Sequence, residues 1–170
     1  AQKKLEFDLR ESEQSYRDLF ENANDIIYII DTSANLRSMN RMAEKLLGYT
    51  EEEMTGKSSH LFFAPEKLPY AIEQGAVKMD GGTNLTVYES EFVSKNGTRI
   101  PVEVSSRLII KNGQPDGIHV TARDMTNHKK AQSELANSEA RFRFLSEYAH
   151  DLICLHRPNG DYIYVSPASR

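Results

Sequence analysis

The amino-acid sequence predicts an α+β domain built on one antiparallel sheet and flanked by two amphipathic helices. Three observations lead to this class. Apolar residues recur at helical spacing near the N-terminus and again after residue 127, and strand-like segments with period two lie between them. A block of short helical patterns separates the first two strands from the last three. Strands interrupted by a helical block favour a single antiparallel sheet over alternating βα units.

Part of the sequence occurs twice, at a spacing of 126 residues. Residues 12–27 and 138–153 are identical at eight of sixteen aligned positions. A repeat with so long a period indicates a whole domain and its connector rather than a solenoid unit. We therefore expect an N-terminal amphipathic helix, a complete domain, a linker helix and the truncated start of a second domain, at residues 1–20, 21–126, 127–147 and 148–170.

Composition excludes several classes of protein. A net charge of −4 and a pI near 5.8 leave no basic face, so nucleic acid is not expected as a partner. The longest apolar run, residues 26–30, is far shorter than the roughly 20 residues of a membrane span, and no span is predicted. Cys154 is the only cysteine, which rules out an intrachain disulfide. The sequence does not begin with Met, so we expect it to belong to a longer protein.

Both flanking helices carry a narrow apolar seam with heptad spacing. Such a seam predicts a parallel contact between two copies of the helix, and therefore a homodimer. The alternative is that each helix lies with its apolar side on its own domain. The seam residues are Leu5, Leu9, Ser12, Tyr16 and Leu19 in the first helix and Ala131, Leu135, Ser138, Phe142 and Leu145 in the second.

The first half of the domain reads as two strands and a capped helix. Residues 25–31 form a short apolar strand that ends in a turn-rich loop, and residues 36–39 can return as its hairpin partner. Asn40 stands where a helix N-cap is wanted, ahead of residues 41–47. Gly48 is predicted to end that helix, because glycine adopts the left-handed conformation of a C-cap without strain.

Two further helices are predicted before the remaining strands. Thr50 is placed to cap a short helix over residues 51–54. Pro65 suits the first turn of a helix that runs towards Met79. Pro69 falls within the same turn, so this helix is expected either to begin later or to kink.

The second half reads as three antiparallel strands. Residues 84–94 are strand-like, and Asn96-Gly97 predicts a two-residue hairpin with positive φ at both positions. A strand follows over residues 99–110, with Ile100, Val102 and Val104 sharing one face. Residues 111–117 form the next predicted turn, and the last strand is expected over residues 117–124.

Several of these motifs occur in the order typical of one family. They are the opening phrase at residues 16–23, Asn40 with the helix that ends at Gly48, the Asn96-Gly97 hairpin followed by residues 100–104, and the phrase at residues 123–130. Together they resemble a PAS domain, in particular the S-box type of bacterial and archaeal signalling proteins such as sensor histidine kinases of two-component systems. The resemblance covers residues 12–127 and restarts over residues 138–170.

The resemblance implies a five-stranded antiparallel sheet with short helices over one face, often enclosing a small-molecule pocket. It also implies output through the helix after the last strand. Asp124 and Thr126 fill the Asp-x-Thr motif that ties strand to helix in this family, although either could simply cap the helix. The implied function is a non-catalytic, cytoplasmic sensory module that senses a small molecule or relays a signal to downstream PAS or kinase modules of the same chain. The alternative is a constitutive dimerisation spacer that binds nothing.

Eight apolar side chains are candidates for the wall of such a pocket, each with ordinary core packing as the alternative. They are Ile27 and Ile29 on the first strand, Phe62, Tyr70 and Ile72 on the helical cover, and Phe92, Val102 and Val104 on the sheet.

Known cofactors of the family fit this sequence poorly. A light-oxygen-voltage flavin site needs a reactive Cys where this chain has Ser59, and a hydroxyl does not form the thiolate that the photochemistry uses. His60 precedes the long helix and is expected to be a surface or capping residue rather than a haem ligand. The first domain contains no Trp to stack on a flavin, although Phe62, Tyr70 and Phe92 could serve. No metal-ligand spacing occurs, and an unknown small organic ligand, or none, is left.

Two other function classes fit the sequence poorly. His150 resembles a phosphoacceptor histidine, but the repeat aligns it with Asn24 at the start of a strand. The carboxylates of residues 51–53 are typical of a solvated helix face, and no nucleophile elbow or P-loop occurs, so catalysis is not expected. The strands of the truncated second domain, residues 151–156 and 162–166, would expose unpaired edges, and we expect them to lie against a neighbouring subunit or the first sheet.

Overall fold

The structure, a computed structural model, describes residues 2–82, 84–148 and 154–165. The chain divides into two compact units, residues 1–126 and residues 127–170. In chain order the elements of the first unit are α1 (Gln2–Glu21), β1 (Ile26–Ile30), β2 (Leu36–Met39), α2 (Arg41–Leu47), α3 (Glu51–Met54), a 3₁₀ turn (Ser59–Phe62), α4 (Leu68–Met79), β3 (Leu85–Val93), β4 (Arg99–Lys111) and β5 (Gln114–Asp124). The last helix, α5 (Thr126–Tyr148), begins at the boundary between the two units.

The five strands form one antiparallel sheet in the order β2-β1-β5-β4-β3. This confirms the predicted α+β class and the five-stranded sheet. Side chains alternate between the two faces of a strand, and on β1 Ile26, Tyr28 and Ile30 are buried while Ile27 and Ile29 are only half-buried. The buried set packs in one core with residues of α2 and α3, such as Leu47 and Met54.

The predicted helix caps of α2 are confirmed. Asn40 Oδ1 accepts from the backbone N–H of Ala43 at 3.0 Å. Gly48 has φ +74° and donates its N–H to Glu44 O at 2.9 Å, in the left-handed C-cap conformation. Thr50 caps α3 through a reciprocal pair of hydrogen bonds with Glu53, a capping box.

The long helix α4 begins later than a start at Pro65 would give. Its first residue is Leu68, and Pro69 lies in its first turn, where a missing N–H breaks no intrahelical bond. A separate turn precedes the helix, in which Lys67 N–H donates to Ala64 O at 2.8 Å. Of the two outcomes expected for Pro69, the later start is therefore confirmed.

The two Asn-Gly turns differ from expectation. At Asn96-Gly97 only Gly97 has positive φ, and Ser94 N–H donates to Thr98 O, so the loop has three residues and ends in a glycine bulge. The predicted two-residue loop is wrong here. Asn112 and Gly113 both have positive φ, and Lys111 pairs with Gln114 across them. The two-residue turn is thus at the second site, and β5 begins three residues before the predicted Gly117.

In the second unit, β6 (Cys154–His156) and β7 (Tyr162–Val165) form a two-stranded sheet of their own. Tyr164 of β7 stacks edge-on against Phe142 of α5 with ring centroids 5.6 Å apart, and its hydroxyl hydrogen-bonds Ser146. His150 and residues 151–153 of the predicted strand lie outside the described residues. The predicted contact of this hairpin with a neighbouring subunit or with the first sheet stays a prediction.

The β6–β7 hairpin repeats the β1–β2 hairpin at the same 126-residue offset. Cys154 pairs with Val165 as Tyr28 pairs with Met39, and each hairpin has its register shift before the last pair of strand β1 or β6. The loops close alike, since Arg157 N–H bonds Asp161 O at 2.8 Å and Asp31 N–H bonds Asn35 O at 2.9 Å. The sequence repeat is therefore also a repeat of backbone geometry.

Neither a membrane-spanning helix nor a metal-binding cluster occurs among the described residues. No helix in the part of the chain that the structure describes has an apolar stretch long enough to cross a bilayer. Among the described residues, no group of three or more His, Cys, Asp or Glu side chains is arranged so that it could hold a metal ion.

Candidate functional site

A cavity of about 310 Å³ lies between α4 and the inner face of the sheet. Liquid water occupies about 30 Å³ per molecule, so this space fits a ligand of roughly ten non-hydrogen atoms. A little over half of the lining residues are apolar, and the polar ones bring hydroxyl, carboxylate, imidazole and amide groups. The apolar lining comprises Ile30, Ala34, Phe63, Ala71, Ile72, Gly75, Ala76, Met79, Val104, Ile118 and Val120, and the polar lining comprises Tyr28, Asp31, Thr32, Ser33, Ser59, His60, Gln74, Tyr88 and Ser106.

The cavity opens between the loop after β1 and α4. Thr32, Ser33 and Ile72 line it and are exposed, whereas Ser59, Val104 and Ser106 line it and are buried. Concavity and a largely apolar wall are features usual for small-molecule pockets.

Of the eight predicted pocket residues, the structure brings two to the cavity wall, Ile72 and Val104. Phe62, Phe92 and Val102 are fully buried in the core behind that wall. The rings of Phe62 and Phe92 lie 5.7 Å and 6.4 Å from that of Tyr28, which itself lines the cavity. The sixth, Tyr70, is half-exposed and meets the ring of Tyr88 edge-on at 5.2 Å.

Ile27 and Ile29 do not line the cavity, because they point to the opposite face of β1 from Tyr28 and Ile30. Ile29 lies instead on a shallow cleft beside α1, together with Tyr16 and Phe20. The sequence prediction chose the wrong alternate set of this strand. All five residues of the strand are apolar or aromatic, so no polar side chain in the sequence indicated which of its two faces points away from the core.

The most informative lining residues were missed from sequence. Tyr28, Tyr88 and Ser106 supply hydroxyl groups to the wall, and none stood out in a strand pattern. The sequence of α4 does contain a pattern that could have predicted the helical wall of the cavity. Ala71 and Gly75, four residues apart, lie on the helix face towards the sheet, and small side chains there leave the space.

Two residues named for cofactor chemistry also reach the cavity. Ser59, in the position where a flavin photosensor needs Cys, lines it and is buried. His60 lines it as well and is half-buried in the 3₁₀ turn, where its backbone N–H donates to the hydroxyl oxygen of Ser58 at 3.3 Å. The N-cap of this turn is Ser58, and His60 lies half-buried at the cavity wall, so the expected surface or capping role is not what the structure shows for its side chain.

Burial shapes the electrostatics of this wall. It raises the pKa of Tyr28 far above the ordinary range, and nearby Tyr88 adds to the shift. Burial, together with Tyr70, raises the pKa of Tyr88 to about 12. Both phenols are neutral at physiological pH and can donate or accept hydrogen bonds. Burial alone would raise the pKa of Asp31, but the N–H groups of Asn35 and Ser33 outweigh it and lower the pKa below its usual value.

A buried lysine lies beside the far end of the cavity. Lys78 of α4 is 1% exposed and donates from Nζ to Gln74 O at 3.3 Å and to Thr86 Oγ1. Thr86 in turn hydrogen-bonds the hydroxyl of Ser106 at 3.0 Å, and Ser106 lines the cavity. The three side chains form a continuous chain from α4 through β3 to the wall.

The predicted exit motif forms a local turn. Asp124 Oδ1 accepts from the backbone N–H of Thr126 at 2.8 Å and from its hydroxyl at 2.6 Å. The N–H of Met125 donates to Pro101 O at 2.8 Å, which holds the turn against β4. Asp124 is exposed and makes no ion pair among the described residues. At this end of β5 the neighbouring residue, Arg123, forms an ion pair, with its Nη2 3.6 Å from Asp25 Oδ2.

Asn40 fastens the N-terminal helix to the domain. Its side-chain nitrogen donates to Phe20 O at 3.1 Å and Asp25 O at 3.0 Å, while Oδ1 also accepts from Ile27 N–H at 3.0 Å. Asn40 is fully buried. Since Ile26 pairs with Ala122 on β5, the connections to α1 and α5 leave the sheet on adjacent strands at the same end.

The apolar seams of both flanking helices are exposed in the single chain. The side chain of Leu5 lies outside the described residues, whereas the other predicted seam residues are exposed, Leu19 most of all at 76%. Within its own helix, Tyr16 stacks on Phe20 with ring centroids 6.1 Å apart. The remaining exposed members are Leu9, Tyr16, Leu135, Phe142 and Leu145.

The chain is similar in sequence and in fold to several known proteins. The family model for the PAS fold matches residues 14–125. The chain is 32% identical over 126 residues to a methyl sulfide methyltransferase-associated sensor of Methanosarcina acetivorans, covering 73% of this chain and 12% of that protein. It is 26% identical over 151 residues to the cell-division control histidine kinase PdhS of Brucella ovis, covering 82% of this chain and 14% of that protein. The PAS domain of an HTR-like protein from Haloarcula marismortui matches with a TM-score of 0.60 and 25% identity, covering 72% of this chain and 98% of that domain.

The matched residues 14–125 contain the whole sheet, the cavity and the helices over it. The chain spans 12% and 14% of the length of the two curated relatives, so it corresponds to one region of such proteins. Both relatives are signalling proteins by name, one a sensor and one a histidine kinase. The chain belongs to the PAS family, and its PAS domain is a sensory signalling module.

Proposed function

We propose that this PAS domain binds a small organic molecule in the cavity under α4 and passes the resulting change to α5. The observation that carries the proposal is the cavity itself, which is about 310 Å³ in volume, mostly apolar, and open to solvent beside Ile72. A core that was meant only to hold the fold together would be closely packed, with few voids larger than a water molecule. The domain itself performs no catalysis in this proposal.

A short path joins the cavity to the exit helix. Val120 lines the cavity on β5, and the same strand ends four residues later at Asp124. The Asp124 turn sets the first residue of α5 through its two bonds to Thr126. A ligand that moves β5 would therefore reorient this turn. Asp124 and Thr126 act as coupling residues in this scheme, and Arg123 with Asp25 links the same point to the end of α1.

We propose that the exposed seams of α1 and α5 are covered in a parallel homodimer. Six large apolar or aromatic side chains at heptad spacing are left on the surface of single helices, and contiguous exposed apolar surface of this kind favours association. Serine and alanine occupy other core positions, so each seam would be weak. A weakly packed seam can shift between two registers at low cost, which suits a switch.

The longer protein would be a sensor histidine kinase with a further PAS domain after this one. The repeated hairpin supports the second domain, because β6 and β7 repeat both the sequence offset and the strand register of β1 and β2. The kinase assignment rests on the similarity to PdhS. The S-box type rests on the motifs of the sequence, and the cytoplasmic location rests on the resemblance to the family. A longer chain that contains the rest of the second domain tests this part of the proposal. Its thermal unfolding should show a second, independent transition.

Native mass spectrometry of the purified chain tests ligand binding. We expect a stoichiometric small-molecule adduct that disappears from a denatured aliquot. Ala71→Leu, which narrows the cavity, should abolish the adduct, while Glu73→Leu on the exposed side of the same helix should retain it. A dimer without any adduct, in both the purified and the ligand-soaked protein, would instead favour the constitutive dimerisation spacer.

A further inference from the structure

The strongest unexplained feature of the cavity is the charge behind its wall. Lys78 is buried, yet none of the described carboxylates lies within ion-pair distance of it. Lysine is almost never fully buried unless it is paired. Burial lowers the pKa of Lys78, which means that the surroundings compensate the ammonium group incompletely. An anion at this end of the cavity would supply the missing compensation.

The hydrogen-bond chain from Lys78 can place a donor at the cavity wall. An ammonium group only donates, so Thr86 Oγ1 must accept from it. Thr86 Oγ1 and Ser106 Oγ lie 3.0 Å apart, and either hydroxyl can be the donor between them. When Thr86 donates to Ser106, Ser106 keeps its own hydrogen to donate. Since Ser106 lines the cavity, the chain in that arrangement ends in a donor at the cavity wall, and an anion bound there would favour the arrangement. Hydrogen bonds to charged groups polarise such chains and strengthen their last donor.

The opposite end of the cavity has the opposite character. Asp31 lines it at the end of β1, and its lowered pKa keeps it ionised. Ser106 lies on β4, two strands away in the order β1-β5-β4, which is about 10 Å at the usual strand spacing. Between them the wall is apolar, with Val120 and Ile118 on the intervening strand. An anionic head is therefore favoured at Ser106 and disfavoured at Asp31.

We propose that the Lys78–Thr86–Ser106 chain selects a small apolar monocarboxylate, whose carboxylate accepts from Ser106 and whose apolar body lies along the wall towards β1. This inference rests on the proposed function, because it names the class of ligand for the same cavity. The volume sets the size at roughly ten non-hydrogen atoms, by the measure of about 30 Å³ for each. Octanoate has this size, a single charge and an apolar tail.

The test is calorimetric titration of the whole chain with three probes of equal length, octanoate, octanamide and octanol. We expect octanoate to bind at least about 10-fold more tightly than the two neutral probes, the factor usual for a hydrogen bond to a charged group. Thr86→Val and Lys78→Met keep the side-chain volume but break the chain, and each should reduce the preference to about two-fold or less. Ser106→Ala should do the same.

The matched control is Ser105→Ala, one residue along β4 on the other face of the sheet, which should leave all three affinities unchanged. Thermal unfolding of each variant shows whether it is folded. Equal affinities for the three probes in the native chain would overturn the carboxylate inference and leave the binding cavity in place. So would a preference that survives both Thr86→Val and Lys78→Met. Failure of every probe to bind would overturn the inference and count against the proposed binding function as well.

Discussion

The side-chain nitrogen of Asn40 donates to the backbone carbonyl oxygen of Phe20 at 3.1 Å and thereby joins the last turn of α1 to the first turn of α2. The same side chain accepts from Ala43 N–H and so serves as N-cap and as helix clamp at once. One buried amide thus satisfies backbone groups of three elements, since it also binds the residues on either side of the start of β1. The orientation of α1 depends on this residue.

Replacing Asn40 by Ala should destabilise the PAS domain by about 3 kcal/mol. The change removes an N-cap, worth about 1 kcal/mol, and leaves buried backbone groups without partners at about 1–3 kcal/mol. The measurement is urea unfolding, with amide hydrogen exchange along α1 as a second readout. Asn22→Ala, at an exposed position just after α1, should change stability by less than about 0.5 kcal/mol. A loss no larger than that of the control would show that α1 is held by other contacts.

A second prediction concerns the exit turn. Asp124→Ala removes both bonds to Thr126, and we expect faster hydrogen exchange at the first amides of α5, by about the factor that corresponds to 1 kcal/mol. The sheet should keep its stability, because Asp124 is exposed. Asp116→Ala, near the start of the same strand, breaks an exposed ion pair with Arg37 and should leave exchange in α5 unchanged. Equal exchange in both variants would contradict the role of Asp124 as a holder of the turn.

How far the sequence could predict this structure is clearest at Asn40 and Lys78. Asn40, Gly48 and Thr50 act through hydrogen bonds within a few residues, so their caps could be predicted from the local sequence. The burial of Lys78 arises where α4 crosses β3, and no local pattern contains that crossing. Its role could only come from the tertiary structure.

The same distinction explains the errors at the strands. An Asn-Gly pair predicts a tight turn, but strand register decides whether the loop has two residues, as at Gly113, or three, as at Gly97. Likewise, the apolar run of β1 predicts a strand without saying which alternate set faces the helices, and hence Ile29 was expected in the cavity in place of Tyr28. Both errors concern contacts between segments distant in sequence.

Replacing either of two glycines by alanine should change the stability of the fold, in opposite directions. A Cβ at Gly117 would lie 2.2 Å from Ile30 O, so Gly117→Ala must displace β5 from β1 and should cost at least about 2 kcal/mol. A Cβ at Gly75 would meet no atom within 4 Å, and Gly75→Ala in the helix interior should stabilise the fold by about 0.5–1 kcal/mol. Thermal and urea unfolding give both values. A stabilised Gly117→Ala variant would show that the two strands separate without cost.

The dimer seam predicts an effect on oligomeric state. Leu19→Lys places a charge in the exposed seam of α1 and should weaken the homodimer at least about 10-fold in sedimentation equilibrium, because the ammonium would be desolvated at the contact. Gln14→Lys adds the same charge on the other side of α1, where Gln14 bonds only Asp18, and should leave the dimer intact. A native chain that stays monomeric at high concentration would contradict the seam directly.

The pH dependence of stability should report on Tyr88. Its pKa is about 12 in the folded chain, above the ordinary value of about 10 that applies when the chain is unfolded. The unfolded state therefore loses this proton first, so the stabilisation is complete below about pH 10 and is lost as the pH rises towards 12. Unfolding free energies measured across this range should fall more steeply for the native chain than for Tyr88→Phe. Tyr162→Phe, at an exposed position of β7, should behave as the native chain does. If Tyr88→Phe followed the native curve, the phenol could not be buried against the cavity wall as the structure has it.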